Sequence, residues 1–235
     1  MALGARHMLR EWQVGDGREE RLASYVLERA RRGDPADVVR IIDEFGYEQS
    51  ILMNVGDEKG EILDAALRRA KAGRVLELGA YCGYSAVRMA LAAPEARITS
   101  VEFSAANASI ARRIWDHAGV SDRVTVVIGS LGDGGATLRR LRDEHGFTEG
   151  SLDFVFIDHD KAAYLPDLRL ILEQCWLRPG AIVVADNVKF PGAPEYRAFM
   201  KESEGTRFRT TEHDTHLEYQ SLFKDLVLVS ELVAG

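Results

Sequence analysis

The sequence predicts an α/β fold: a mostly parallel sheet of seven strands with helices on both faces, preceded by N-terminal helices. Three observations carry this. From Gly73 onward, short apolar runs alternate with segments of helical spacing, the pattern of βαβ units. Those runs are about 5–6 residues long, the length of strands in parallel sheets covered on both faces. Before Gly73 the apolar residues recur at helical intervals.

Taken in order, residues 1–17 have no clear period and are expected to be a loose lead-in. Over residues 19–31, Leu22, Tyr25, Val26 and Leu27 recur at helical spacing until Gly33 breaks the pattern. Asp34-Pro35 reads as a cap followed by a first-turn proline, and the helix behind it carries Val38, Val39, Ile41, Ile42 and Phe45. A third helix, about 57–70, turns Ile62, Leu63, Ala66 and Leu67 inward, and Gly73 is expected to punctuate its end. Strands follow at 75–78, 98–101, 124–128, 152–157 and 181–184, with helices near 85–92, 105–118, 134–145 and 163–177 between them. A short helix at 194–202 and two apolar-polar runs, 206–211 and 226–232, close the chain as an antiparallel pair. One domain over 18–235 is expected, helical in 18–72 and sheet-built in 73–235.

A chain of 235 residues can bury a substantial core without staples, and Cys82 and Cys175 form no metal or redox spacing. With 37 acidic against 30 basic residues and a net charge of −7, the surface repels phosphate backbones, so nucleic acid is not an expected partner. The first residues lack the apolar core of a signal peptide, and no apolar stretch approaches the ~18 residues of a spanning helix. A soluble cytoplasmic protein, off the membrane, is expected.

Two features mark sites. The first strand runs into Glu77-Leu78-Gly79-Ala80-Tyr81-Cys82-Gly83-Tyr84-Ser85, a glycine turn before a helix, where the backbone can approach a ligand closely. A dinucleotide fingerprint would need glycine at Tyr81 rather than Gly83, which disfavours a nicotinamide dehydrogenase. The E-x-G-x-x-x-G spacing resembles instead the first motif of S-adenosylmethionine methyltransferases. Glu102 ends the second strand, 23 residues past Gly79, where a carboxylate can accept both hydroxyls of a ribose. The second feature is a pair of strand-end aspartates. Asp158 and Asp186 are 28 residues apart, one helix plus one strand, and therefore belong on neighbouring strands at one edge. Asn187 adds an amide oxygen. Singly, each aspartate is better explained as a helix cap; together they suit a small cation that prefers oxygen ligands, Mg²⁺ first and Mn²⁺ second.

The runs Met53-Asn54-Val55-Gly56-Asp57, Leu76 through Ala90, Tyr164-Leu165-Pro166-Asp167 and Ala185-Asp186-Asn187-Val188 resemble the catechol O-methyltransferases from about Gly17 to the last strand. The resemblance implies a Rossmann-like methyltransferase fold and Mg²⁺-dependent transfer of methyl from S-adenosylmethionine to one hydroxyl of a catechol. It further implies that Asp158, Asp186 and Asn187 hold the metal, that Lys161 is the base, and that Glu218 holds the second hydroxyl. Val55, Gly79, Tyr81, Ser85, Glu102 and His159 line the cofactor site on the same grounds, and Met53, Pro191 and Leu217 offer apolar contacts to a ring. Two positions that are aromatic walls in that family, often tryptophan, are Ile51 and Asp160 here. Phe190 is expected to replace a wall in part, and Asp160 to draw Lys161 into an ion pair. Gly132 stands where a polar adenine contact is common. A cation-dependent methyltransferase of the caffeoyl-coenzyme A type and a non-catalytic S-adenosylmethionine-binding module are the alternatives; the acidic balance disfavours the first, and the second needs no metal set beside Lys161.

Overall fold

In the computed structural model, which describes residues 16–233, three helices come first: α1 (Arg18–Arg29), α2 (Pro35–Glu48) and α3 (Gly56–Ala70). Asp34 caps α2 by accepting a hydrogen bond from the Asp37 amide at 3.0 Å, with Pro35 in the first turn. Helix α3 ends at Ala70, where the spacing predicts, and it is Lys71 rather than Gly73 that takes the left-handed conformation, with φ 47°. Of the expected lead-in, all but Asp16 and Gly17 lies outside the described residues.

The alternating part follows as β1 (Arg74–Leu78), α4 (Tyr84–Ala92), β2 (Arg97–Glu102), α5 (Ala105–Ala118), β3 (Val124–Ile128), α6 (Ala136–His145), β4 (Leu152–Ile157), α7 (Tyr164–Glu173) and β5 (Leu177–Ala185). Helix α8 (Pro194–Glu202), β6 (Phe208–His216) and β7 (Lys224–Leu232) complete it. The sheet order is β3-β2-β1-β4-β5-β7-β6. The first five strands are parallel, and β7 runs antiparallel to both β5 and β6. Strand order reverses beside β1, so a crevice is expected beyond the carboxyl ends of β1 and β4.

Period-two alternation splits the core into two faces. Val75, Phe154, Phe156, Ile182, Val184, Val227 and Val229 pack against α1 to α5 on one side. Their neighbours Leu76, Val155, Ile157, Val183, Ala185, Leu226 and Leu228 pack against α6, α7 and α8 on the other.

Two boundaries differ from expectation. Residues 174–177 continue the apolar spacing of α7, but Cys175 turns left-handed at φ 54° and Leu177 pairs with Leu152 to open β5. The Pro179-Gly180 irregularity then separates that pair from the Phe154–Ile182 register. Strand β6 extends five residues beyond 211, to His216, as an edge strand of mostly polar residues whose pairing with β7 leaves no apolar period to read. Among the described residues no helix is long and apolar enough to cross a membrane.

Candidate active site

Strands β1, β4 and β5 end level with one another: Leu78 pairs with Ile157, and Ile157 with Ala185. The residues that follow, Gly79, Asp158 and Asp186, therefore leave the sheet side by side. The Asp158 amide donates to the Leu78 carbonyl at 2.9 Å and the Asp186 amide to that of Ile157 at 3.1 Å. A Cβ at Gly79, where φ is +99°, would collide with the Asp158 carbonyl oxygen, so only glycine lets the two turns abut. The two features singled out from the sequence thus share one rim.

Asn187 is buried in the left-handed conformation, φ 52°, which asparagine tolerates. Its amide N–H donates to Asp186 Oδ1 at 2.7 Å. Its side-chain Nδ2 donates to Asp225 Oδ2 at 2.8 Å and to Glu218 Oε1 at 3.1 Å, which turns Oδ1 away from those carboxylates. Asp186 Oδ2 is buried without a hydrogen-bond partner among the described residues. Lys161 Nζ donates to Asp158 Oδ1 at 3.0 Å and to the Tyr164 hydroxyl at 2.5 Å, and that hydroxyl donates to the Asp186 carbonyl at 3.0 Å. Burial first, then Asp158 and Asp186, push the Tyr164 phenol well up, so it stays a donor. Asp160 does not pair with Lys161: its Oδ1 accepts the Ala162 amide at 3.1 Å, capping the turn Lys161–Ala163, and Lys161 points back to Asp158.

Lys59, on α3, reaches the same rim and was not expected there. Its side chain is 1% exposed, and its ammonium lies 2.8 Å from Asp186 Oδ1, 3.3 Å from Asp225 Oδ2 and in contact with Glu218 Oε1. Burial opposes the charge, but the carboxylates of Asp186, Glu218 and Asp225 outweigh it and hold the ammonium well above the usual lysine range. On Asp186, burial, helped by the nearby Asp158 and Glu218, outweighs the pull of Lys59, and the carboxyl is pushed up to about 8. Ligand atoms of Asp186, Glu218 and Asp225 lie within 4.8 Å of one another, so the tightest carboxylate group differs from the set expected from sequence. Among the described residues the rim holds four carboxylates, those three and Asp158, against the ammonium groups of Lys59 and Lys161. By residue type the carboxylates there outnumber the amines, a balance that a bound cation would improve. Asp158, Asp186 and Asn187 could offer a cation oxygen donors, among them the unpartnered Asp186 Oδ2.

Glu218 lies in the loop between β6 and β7, and that loop is anchored from both sides of it. Leu217 donates its amide to the Phe223 carbonyl at 2.9 Å. The Tyr219 hydroxyl donates to Asp43 Oδ1 at 3.1 Å, and its ring packs edge-on against Tyr47 at 5.0 Å. Val55, Leu217, Glu218 and Lys59 line a cleft of about 90 Å³. Met53 is half-buried against the core, whereas Pro191 is exposed in the turn Val188–Gly192. Phe190 is half-exposed and stacks on Phe223 with centroids 6.2 Å apart, and its amide donates to Asp225 Oδ1 at 3.0 Å. Ile51 is 61% exposed.

Beside β1, Glu102 is buried and accepts the amides of Tyr81 and Ser104, each at 2.9 Å. Burial raises its carboxyl and these backbone donors oppose the rise. The Tyr81 hydroxyl donates to Glu19 Oε1 at 2.9 Å. The Ser85 hydroxyl donates to Glu77, as does that of Ser100. His159 Nε2 bonds Asp167 Oδ2 at 2.9 Å, and its Nδ1 is buried and unpartnered. Gly132 has nothing within 4 Å of its Cβ direction.

The family model described as O-methyltransferase matches residues 37–205. The chain belongs to the O-methyltransferase family. A probable O-methyltransferase of Mycobacterium tuberculosis is 61% identical over 231 residues, covering 98% of this chain and 99% of that protein. The catechol O-methyltransferase of Bos taurus is 41% identical over 220 residues, covering 93% and 78% respectively. Among solved structures, an O-methyltransferase from Bacillus cereus in complex with SAH superposes with a TM-score of 0.64 over 99% of this chain and 97% of that one, at 19% identity. That last likeness speaks for the fold.

In this O-methyltransferase the two residues that sequence reasoning missed, Lys59 and Asp225, both carried a signal. Lys59 is spaced with Leu63, Ala66, Leu67 and Ala70 on the buried face of α3. Asp225 shares the parity of Val227 and Val229 in β7. A charge on an apolar face needs a buried partner.

Proposed function

We propose that this O-methyltransferase moves the methyl group of S-adenosylmethionine to one hydroxyl of a catechol held by a divalent cation, Mg²⁺ first and Mn²⁺ second. The observation that carries the reading is the convergence of Asp158, Asp186, Asn187, Lys161 and Glu218 at one rim, with Asp186 Oδ2 buried and unpartnered. Asp158, Asp186 and Asn187 are the residues that would hold the ion. When bound, such an ion favours the ionised form of a chelated phenol. The bovine catechol O-methyltransferase, 41% identical, supports the same acceptor class.

The residues then divide the work. Gly79 and Tyr81 bring the backbone close to the cofactor, Glu102 receives its ribose hydroxyls, and the unpartnered Nδ1 of His159 faces the same ligand, with Val55 and Ser85 at its margins. Lys161 in its amine form takes the proton of the reacting hydroxyl, and Glu218 accepts a hydrogen bond from the other. Met53, Pro191 and Leu217 flank the ring. The acceptor oxygen attacks the sulfonium methyl, the electron pair of the broken C–S bond stays on sulfur, and S-adenosylhomocysteine leaves. Holding donor and acceptor in line can supply up to roughly 7–11 kcal/mol of the rate enhancement. The test is methyl transfer to a panel of catechols and matched mono-phenols, with Mg²⁺ and with EDTA. Turnover of vicinal diols alone, lost in EDTA and in Asp158→Ala, is expected; comparable turnover of mono-phenols in EDTA refutes the reading.

A further inference from the structure

We propose that Lys59 is a resident cation that occupies the place of a second divalent ion and positions Glu218, Asp225 and Asn187 around the first; this rests on the single-ion reading of Asp158, Asp186 and Asn187 given above. The argument starts from Asp186, whose two oxygens face different surroundings. Its Oδ1 takes the Lys59 ammonium at 2.8 Å, while Oδ2 is buried and unpartnered. A carboxylate placed this way has the two-sided surroundings of a bridging ligand in a two-metal site, where ions sit about 3.5–4 Å apart. Around Oδ1 stand Glu218 and Asp225, and with Asp186 they form a converging three-carboxylate group. Lys59 Nζ touches all three from a side chain that is 1% exposed, which makes it a fixed part of the rim.

The same ammonium organises the neighbours. By drawing Glu218 Oε1 and Asp225 Oδ2 together, it leaves both to accept the Asn187 Nδ2 group, at 3.1 and 2.8 Å, and so sets which way the Asn187 carbonyl faces. Asp225 carries the constraint on to the Phe190 amide at 3.0 Å. Without the ammonium, three converging carboxylates, those of Asp186 and Asp225 buried and that of Glu218 partly so, would repel one another with only Asn187 Nδ2 between two of them, an arrangement that a dication relieves.

Counting Mn²⁺ bound to the full chain, from the free-ion paramagnetic resonance signal, tests this. Wild type is expected to bind one ion, Lys59→Met two, and Lys59→Met/Asp225→Asn one again. One ion of unchanged affinity in both wild type and Lys59→Met overturns the proposal and leaves the single-ion reading standing. No ion in wild type overturns both, whether Lys59→Met then binds one, which would put Lys59 in the place of the first ion, or none. Should Lys59→Met fail to fold, the wild type decides: with ¹⁵N-lysine, a slowly exchanging Lys59 ammonium signal, assigned by its persistence in Lys161→Arg, is expected to survive saturating Mg²⁺. Its loss on adding Mg²⁺ would mean that the ion displaces Lys59, which overturns the proposal.

Discussion

Glu77 is fully buried at the carboxyl-terminal half of β1, and burial pushes its carboxyl up to about 7 despite hydroxyl donors from Ser100 and Ser85. The ordinary value is 4.5. A group whose folded value is raised stabilises the protein below its unfolded value and loses that contribution as pH climbs through the folded one. Stability is therefore expected to fall between pH 4.5 and about 7, by on the order of 3 kcal/mol, and then to level off. Glu77→Gln keeps the volume and removes the titration, and both hydroxyls can pivot to meet the amide. Urea midpoints measured across this range should slope downward more steeply for wild type than for the variant, which keeps the slope contributed by Asp43, pushed up to about 6, and Asp186; parallel curves would contradict the assignment. At this scale the sequence marks Glu77 only as part of a motif. That its partners are Ser85, from the following helix, and Ser100, from β2, depends on how strands align.

At the scale of elements, the loop from β6 to β7 positions Glu218, and helix α2 anchors it through Asp43, 176 residues before Tyr219 in the chain. Gly46 in α2 faces the Tyr219 ring, and a Cβ there would stand 2.6 Å from Tyr219 Cζ. Overpacking of this kind costs about 1–3 kcal/mol if the ring cannot yield, and a loop can yield where a core cannot. Gly46→Ala is therefore expected to move Tyr219 and Glu218 together, raising KM for the acceptor several-fold while leaving cofactor affinity, measured by calorimetry, as in wild type. An unchanged acceptor KM would show that the loop holds its place without this contact. The β-strands that carry the rim were readable because they are apolar and buried on both faces; β6 was read short because an edge strand needs no apolar residues to pair.

For the molecule as a whole, a chain of net charge −7 gathers more carboxylates than amines at one rim among its described residues. A cation that binds the folded state there stabilises it by linkage, about 2.7 kcal/mol at a hundredfold excess over Kd. For a protein of this size that corresponds to a melting shift of roughly 5–10 °C. Mg²⁺ is expected to raise Tm by this amount in wild type and by none in Asp186→Asn, as read by scanning calorimetry; an equal shift in the variant would place the ion elsewhere. The alternation of apolar runs and helical periods determined the layered sheet, and two aspartates at the ends of apolar runs determined where on that sheet chemistry gathers. Both are local signals, since a strand's burial and its terminus are written in consecutive residues. Only the tertiary structure decided that Lys59 and Asp225, 166 positions apart, meet beside Asp186, that Asp160 caps a turn instead of pairing with Lys161, and that Ser85 faces Glu77. Those outcomes follow from strand register and helix packing, which bring together side chains whose positions along the chain carry no record of one another.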